Sequence, residues 1–129
     1  MRCSHCGKCC ESTEMPLSEA DIKRLERIGY PRRTFVRYDE EGYARLLNKD
    51  GYCVFFDKEN KKCKVYKFRP LGCRLYPVIY SDEEGIVVDD ICPMKDTVSK
   101  IEIERKGKLL IKLLKILDRE AEQRLRLRQ

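Results

Sequence analysis

Apolar residues recur at three- and four-residue steps along the last quarter of the chain. They are Val98, Ile101, Leu109, Leu110, Leu113, Leu114, Leu117 and Ala121. This spacing predicts a long amphipathic helix from Thr97 onward. Gly107 would weaken that helix by about 1 kcal/mol relative to alanine, and it is a candidate position for a bend.

A second helical pattern lies near the N-terminus, in residues 17–29. Ser18 is a typical N-cap, Glu19 and Asp21 place acidic side chains in the first turn, and Gly29 is a typical stop signal. The expected apolar stripe of this helix consists of Ile22, Leu25 and Ile28.

Short strands joined by turn-rich segments fill the middle of the chain. Residues 43–47 and 52–56 flank Asn-Lys-Asp-Gly, and residues 78–80 and 86–88 flank Ser-Asp-Glu-Glu-Gly. Both arrangements predict β-hairpins, and Pro70 is expected to open a short helix between them. The pattern as a whole predicts a small α+β domain with short β-hairpins, an N-terminal helix and a long C-terminal helix.

The chain contains eight cysteines, four of them within its first ten residues. Two-residue gaps let a tight turn point successive sulfur atoms at one centre, and Gly7 gives such a turn its backbone freedom. A disulfide framework is the alternative for an even number of cysteines, but the clustering favours metal. The early four are Cys3, Cys6, Cys9 and Cys10, and the later four are Cys53, Cys63, Cys73 and Cys92.

The spacing of these cysteines also bears on the metal. Cys3, Cys6 and Cys9 match the clustered ferredoxin pattern, and Cys92 is followed by proline, as the remote ligand of such sites commonly is. A zinc ribbon usually has two close pairs, and the later four cysteines contain none. The spacing favours an iron–sulfur cluster, of [4Fe–4S] type in its simplest form, with zinc as the alternative. Four cysteines could hold one centre and four a second, or all eight could surround a larger one.

Two arginines, two tyrosines and a histidine are candidates for a role beside the metal. Arg69 and Arg74 would place cations near anionic sulfur. Such cations stabilise a thiolate-rich centre and raise the reduction potential of that centre. Tyr66 and Tyr76 could donate hydrogen bonds to sulfur or to a substrate. The alternative is that the arginines make structural ion pairs and the tyrosines are half-buried core residues. His5 is expected to be a loop residue near the sulfur atoms and not a ligand.

Composition indicates one domain with a modest core. Of the 129 residues, 39% are charged and 9% are aromatic, with no tryptophan, so metal ligation could supply part of the folding free energy. We expect a cysteine-cluster domain in residues 1–94. Residues 95–129 would form the C-terminal amphipathic helix, packed on the same domain.

The net charge bears on the expected partners. The formal net charge is +6, and residues 97–129 hold five lysines and five arginines against one aspartate and four glutamates. Metal-bound thiolates would offset part of this excess, so we do not expect nucleic acid on charge alone. A redox partner protein and homo-oligomerisation through the C-terminal helix are the candidate interactions.

The sequence also bears on the cellular location of the protein. No run of about 18 apolar residues is present, so no membrane-spanning helix is expected. The N-terminus also lacks the apolar segment of a signal peptide. We therefore expect a cytoplasmic protein, because thiols stay reduced there.

Four motifs together resemble the CxxCxxCC cysteine-cluster family, whose members are described as zinc or iron chelators. The motifs are Cys3-x2-Cys6-Gly-x-Cys9-Cys10, Cys53-Val-Phe-Phe-Asp57, Cys63-x2-Tyr66-x2-Arg69-Pro70-x2-Cys73-Arg74-x-Tyr76-Pro77, and Cys92-Pro93. The resemblance spans residues 3–94 and implies that all eight cysteines bind metal. Met94 departs from the family pattern, since a glycine often follows Cys-Pro.

Relatives in this family suggest more than one function. Some longer members are described as flagellin lysine N-methylases and others as iron–sulfur oxidoreductases. This chain shows no recognisable segment for binding S-adenosylmethionine. We therefore predict an iron–sulfur binding protein with a redox or electron-transfer role. A zinc-binding structural or interaction module is the alternative, and a lysine methyl-transfer enzyme or a subunit of one is a further alternative.

Overall fold

A computed structural model describes residues 10–89, 92 and 94–128. Within these ranges the chain forms short antiparallel strands and three α-helices, so the predicted α+β class is confirmed. The helices are α1 (Glu19–Arg27), α2 (Leu71–Leu75) and α3 (Lys100–Leu127). The strands are β1 (Pro16–Leu17), β2 (Val36–Tyr38), β3 (Ala44–Leu46), β4 (Asn48–Lys49), β5 (Tyr52–Cys53), β6 (Phe56–Asp57), β7 (Lys62–Cys63), β8 (Val78–Ser81) and β9 (Gly85–Val88).

Helix α1 begins at the predicted N-cap, Ser18, which forms a complete capping box with Asp21. The Asp21 amide donates to the Ser18 hydroxyl at 3.1 Å, and the Ser18 amide donates to the Asp21 carboxylate at 3.2 Å, so two amides at the helix start are satisfied. The expected stripe is right for Ile22 and Leu25, which are fully buried. It is wrong for Ile28, which is 39% exposed. Ile28 is the C-cap, where the chain leaves the helix, so its side chain no longer follows the buried face.

The first predicted hairpin is shorter than expected. Strands β4 and β5 pair around Asp50 and Gly51, which have φ values of +54° and +82°, as in a two-residue turn with left-handed backbone at both positions. Strand β3 does not pair with β5. It lies between β1 and β2 in a three-stranded antiparallel sheet, and Leu46 is buried there. The pairing of β3 with β1, which joins Pro16 to Arg45, is a long-range contact that local turn signals do not predict.

The other predicted local elements form close to where they were expected. Strands β8 and β9 pair in the register that joins Val78 to Val88. Strands β6 and β7 form a further hairpin, which was not predicted, and in it Phe56 lies opposite Cys63. Pro70 is the N-cap of α2, so this helix opens where its sequence predicts.

Two apolar clusters form the core. One surrounds α1 and the three-stranded sheet, and the other lies between α2, β8 and α3. In α3 the inward positions are Gly107, Leu110, Leu113, Leu117 and Ala121. Ile101 and Leu109 are 64% and 45% exposed, because a 3.6-residue period cannot turn every apolar residue of this helix inward. Neither α3 nor any other helix in the described part of the chain has the length and apolar character needed to cross a membrane.

The far end of α3 is held against the turn between β2 and β3. Arg124 donates to the Gly42 carbonyl at 2.9 Å and to the Glu19 carboxylate at 2.8 Å. A Cβ at Gly42, which has a φ of +90°, would lie 2.6 Å from the Ala121 carbonyl oxygen. Glycine is therefore required both by the backbone angle and by the close approach of the helix.

We expect Gly42→Ala to loosen the docking of α3 on the domain. Gly85→Ala is the matched control, because Gly85 has a similar φ of +79° but no atom within 4 Å of the added Cβ. Gly42→Ala should lower the free energy of unfolding by about 1–3 kcal/mol more than Gly85→Ala, since only the first creates a clash. Urea denaturation measures both, and equal losses would contradict the tight contact.

Candidate metal centre

Four cysteines from four separate segments line one cavity. The cavity has a volume of about 50 Å³, and its walls are largely apolar. Its thiols belong to Cys10, Cys53, Cys63 and Cys73. These residues are up to 63 positions apart in sequence, so the tertiary fold brings them to the same place.

Backbone pairing positions the first three of these cysteines. Cys53 ends β5, is 5% exposed and lies opposite Asn48 of β4. Cys63 ends β7, opposite Phe56 of β6. Cys10 precedes an antiparallel bridge between Glu11 and Tyr52, which holds the N-terminal segment beside β5. These backbone pairings therefore bring three cysteines from separate segments to the lining of one cavity.

The fourth thiol, that of Cys73, lies in the middle of α2. This five-residue helix is held from both ends. Pro70 caps its start, and Leu75 packs near its end in the cluster that includes Leu113 and Leu117 of α3. The C-terminal helix thus supports the cavity through α2, at a distance from the thiols.

Basic residues also border the cavity. Lys61, Lys62 and Arg69 belong to its lining, together with Tyr66 and Tyr76. The Arg69 guanidinium lies 3.9 Å from the centroid of the Tyr66 ring, and its Nε donates to the Tyr66 carbonyl at 3.0 Å. Cations beside several thiolates reduce the electrostatic cost of holding them close together.

The predicted neighbours of the metal differ in position. Arg69, Tyr66 and Tyr76 line the cavity, whereas Arg74 is exposed and is not part of that lining. The Tyr76 hydroxyl donates to the Asp89 carboxylate at 2.8 Å. The Asp89 carbonyl in turn accepts the Cys92 amide at 3.3 Å. The buried Cys92 is therefore linked through Asp89 to Tyr76, which lines the cavity.

Part of the predicted ligand set lies outside the described residues. These ligands are Cys3, Cys6 and Cys9, and His5 lies outside the described residues as well. Among residues 10–89, 92 and 94–128, no group of three or more Cys, His, Asp or Glu side chains is arranged to hold a metal ion. No disulfide joins any two of the five cysteines that the structure does describe.

The chemistry of the donor set fits zinc or iron. Thiolate is the soft ligand that zinc and iron–sulfur clusters take, and four cysteines are among the residues that line this small cavity. Its apolar walls would shield a centre from water, and its cations would balance anionic sulfur.

Comparison with known protein families agrees with the composition of this site. The family model CxxCxxCC, whose description is "Putative zinc- or iron-chelating domain", matches residues 2–93. The chain belongs to the CxxCxxCC family. The matched range contains all eight cysteines, and family membership supports metal binding.

One curated relative of this CxxCxxCC domain is an uncharacterized protein of Methanocaldococcus jannaschii. The two are 37% identical over 78 residues, which cover 58% of this chain and 43% of the relative. The chain therefore matches less than half the length of that relative. No solved structure matches the chain.

The sequence did not reveal that a buried carboxylate, that of Asp21, holds the segment beside the cavity in place. Asp21 is 1% exposed and accepts hydrogen bonds from Arg24 at 2.8 Å and from the Leu71 amide at 3.1 Å. Arg24 also donates to the Arg69 carbonyl at 2.9 Å. Helix α1 thus fixes the segment that leads into α2. The capping pattern could identify Asp21 as a first-turn residue, but not its contact fifty positions away.

Met15 is a second missed residue of the cavity lining. Its sulfur lies against Gly72, so that a Cβ at Gly72 would overlap it. The absence of a side chain at Gly72 lets β1 approach α2 closely, immediately beside Cys73. In the sequence, the only signal was a glycine next to a candidate ligand.

Proposed function

We propose that this CxxCxxCC domain binds an iron–sulfur cluster through cysteine thiolates and acts in electron transfer or other redox chemistry. The observation that supports this most is that four cysteines, from four separate segments, line one largely apolar cavity whose lining also includes Lys61, Lys62 and Arg69. A bound iron–sulfur cluster would supply one-electron chemistry at this position. A cytoplasmic location is part of the proposal, because such thiols must remain reduced.

The proposed ligands come from both halves of residues 1–94. Cys10, Cys53, Cys63 and Cys73 are the ligands that line the cavity, and Cys3, Cys6, Cys9 and Cys92 are the further ligands that the motifs suggest. Eight thiols are twice the number that one tetrahedral zinc ion takes. A [4Fe–4S] cluster with a second centre, or one larger centre, would use them all. Residues 95–129 would serve as a scaffold that supports α2.

The protein side chains would have distinct tasks around such a cluster. The thiolates bind it, and the apolar walls formed by residues such as Leu46, Phe55 and Val65 keep water away. Arg69 would stabilise the reduced, more negative state through its positive charge. Tyr66 and Tyr76 would offer polar groups at the cavity wall.

Metal and sulfide analysis after purification without oxygen tests this proposal. We expect a brown protein that contains iron and acid-labile sulfide in similar amounts, with a visible absorption band that dithionite bleaches. A colourless protein that holds zinc would instead support the structural or interaction module. Tight binding of S-adenosylmethionine by a cluster-free protein would support the methyl-transfer alternative.

The two arginines should differ in their effect on the reduction potential. We expect Arg69→Gln to lower the midpoint potential, because it removes a cation from the cavity lining. Arg74→Gln is the matched control and should change the potential less, because Arg74 is exposed outside that lining. Spectroelectrochemical titration measures both variants. A larger shift for Arg74→Gln would reverse the assignment.

A further inference from the structure

Exposed lysines are concentrated in a segment that also contributes to the cavity lining. Residues 57–69 hold five lysines and one arginine against two acidic residues, Asp57 and Glu59. Asp57 lies opposite Lys62, so the excess of positive charge remains after this pairing. We call Lys61, Lys62, Lys64, Lys67, Tyr66 and Phe68 the cationic rim. Its four lysines are exposed, and Lys61, Lys62 and Tyr66 also belong to the cavity lining. A molecule that docks on the rim would therefore contact part of the cavity lining.

Two aromatic rings lie within this charged surface. Phe68 is 43% exposed and Tyr66 is 37% exposed, on a 3-10 turn that immediately precedes α2. Exposed aromatic residues are enriched in protein interfaces, where they act as anchors inside a polar surround. A hydrophobic ring such as that of Phe68 adds nothing to charge balance at the thiols, so balance alone does not explain the rim.

The chemistry of the rim selects a kind of partner. Electron-transfer proteins meet through small, transient interfaces that opposite charges steer together. The rim offers positive charge, two aromatic anchors and immediate access to the cavity. The cationic outer face of α3 has positive charge as well, but its residues do not line the cavity.

We propose that the cationic rim docks an acidic electron-transfer protein over the cavity. This inference rests on the proposed redox function. In the docked pair the reduced partner loses one electron and the centre gains it, and no bond forms or breaks. The partner would place carboxylates against the rim lysines and a flat surface against Phe68.

A charge-reversal pair with a matched control tests the rim. The variant is Lys61→Glu with Lys67→Glu. The control is Lys112→Glu with Lys115→Glu on α3, two exposed lysines outside the cavity lining. Both pairs change the net charge equally. The probe is an acidic [2Fe–2S] ferredoxin, and the metal-loaded protein is used throughout.

Two readouts are informative. A zero-length carbodiimide joins lysine amines to carboxylates, and mass spectrometry should find the wild-type cross-links at the rim lysines. Stopped-flow mixing at low ionic strength should show electron transfer slowed about tenfold or more by the rim variant. The α3 control should stay within about twofold of wild type. Phe68→Ala should slow transfer without changing its dependence on salt.

The outcomes separate this inference from the proposed function. A centre that dithionite cannot reduce would overturn both. A centre that dithionite reduces but ferredoxin neither reduces nor cross-links would overturn the rim alone. Equal slowing by the rim and α3 variants would also overturn the rim proposal, because the net charge of the protein alone would then explain the slower electron transfer. A single-stranded oligonucleotide that binds the rim, while ferredoxin does not, would replace the protein partner with nucleic acid.

Discussion

Removing the metal should unfold the cavity region of this protein. The strands that present Cys53 and Cys63 are two residues long, and α2 has five residues, too few for independent stability. Ligation of a structural metal can contribute on the order of 10 kcal/mol, which is comparable with the whole stability of a typical domain, roughly 5–15 kcal/mol. The metal-free chain should therefore lose its fixed tertiary structure near the hairpins and α2.

Circular dichroism and hydrogen exchange measure this loss directly. After chelation under reducing conditions, we expect the near-ultraviolet signal to collapse and the amides of Val54 and Lys64 to exchange rapidly. These amides donate to carbonyls in the native fold, at 2.9 Å and 2.8 Å. Restoring the metal, with sulfide where a cluster is rebuilt, should recover both signals. A melting temperature unchanged by metal removal would contradict a structural role for the centre.

Replacing one thiol of the cavity should produce the second large effect. Cys53 is 5% exposed and lines the cavity, and serine matches its size but offers a poor ligand for soft metals. We expect Cys53→Ser to lower metal content by at least about half. It should also lower the free energy of unfolding by more than about 3 kcal/mol, because loss of a ligand weakens the whole centre.

Val78→Ala separates ligand loss from ordinary destabilisation. Val78 is 1% exposed but belongs to the other apolar cluster, beside α3. Its truncation should cost about 2–3 kcal/mol and leave the metal content unchanged. If Cys53→Ser kept its metal while Val78→Ala lost it, Cys53 would be a packing residue.

Local sequence signals predicted the elements of this fold well. The capping residue Ser18, the helix start at Pro70 and the hairpin around Gly85 each depend on a few adjacent residues. For the same reason, α1, α2 and the β8–β9 pair lie where they were expected. These elements also carry or support part of the candidate site.

The tertiary arrangement was harder to predict because it depends on distant contacts. Strand β3 pairs with β1 and β2, and Asp21 reaches the Leu71 amide across fifty positions. The cysteine motifs predicted a shared site. The spacing of the cysteines did not predict which other residues line the cavity. Nor could spacing distinguish Arg69, which lines the cavity, from Arg74, which is exposed.

X-ray absorption at the K-edge of the bound metal tests the shared thiolate centre most directly. The sample is protein purified without oxygen, beside a variant in which Cys53 and Cys73 are both serine. We predict that the wild-type metal is surrounded by sulfur at about 2.3 Å and that the variant loses sulfur neighbours or the metal itself. A metal surrounded mainly by oxygen and nitrogen, unchanged in the variant, would contradict a centre held by these cysteines.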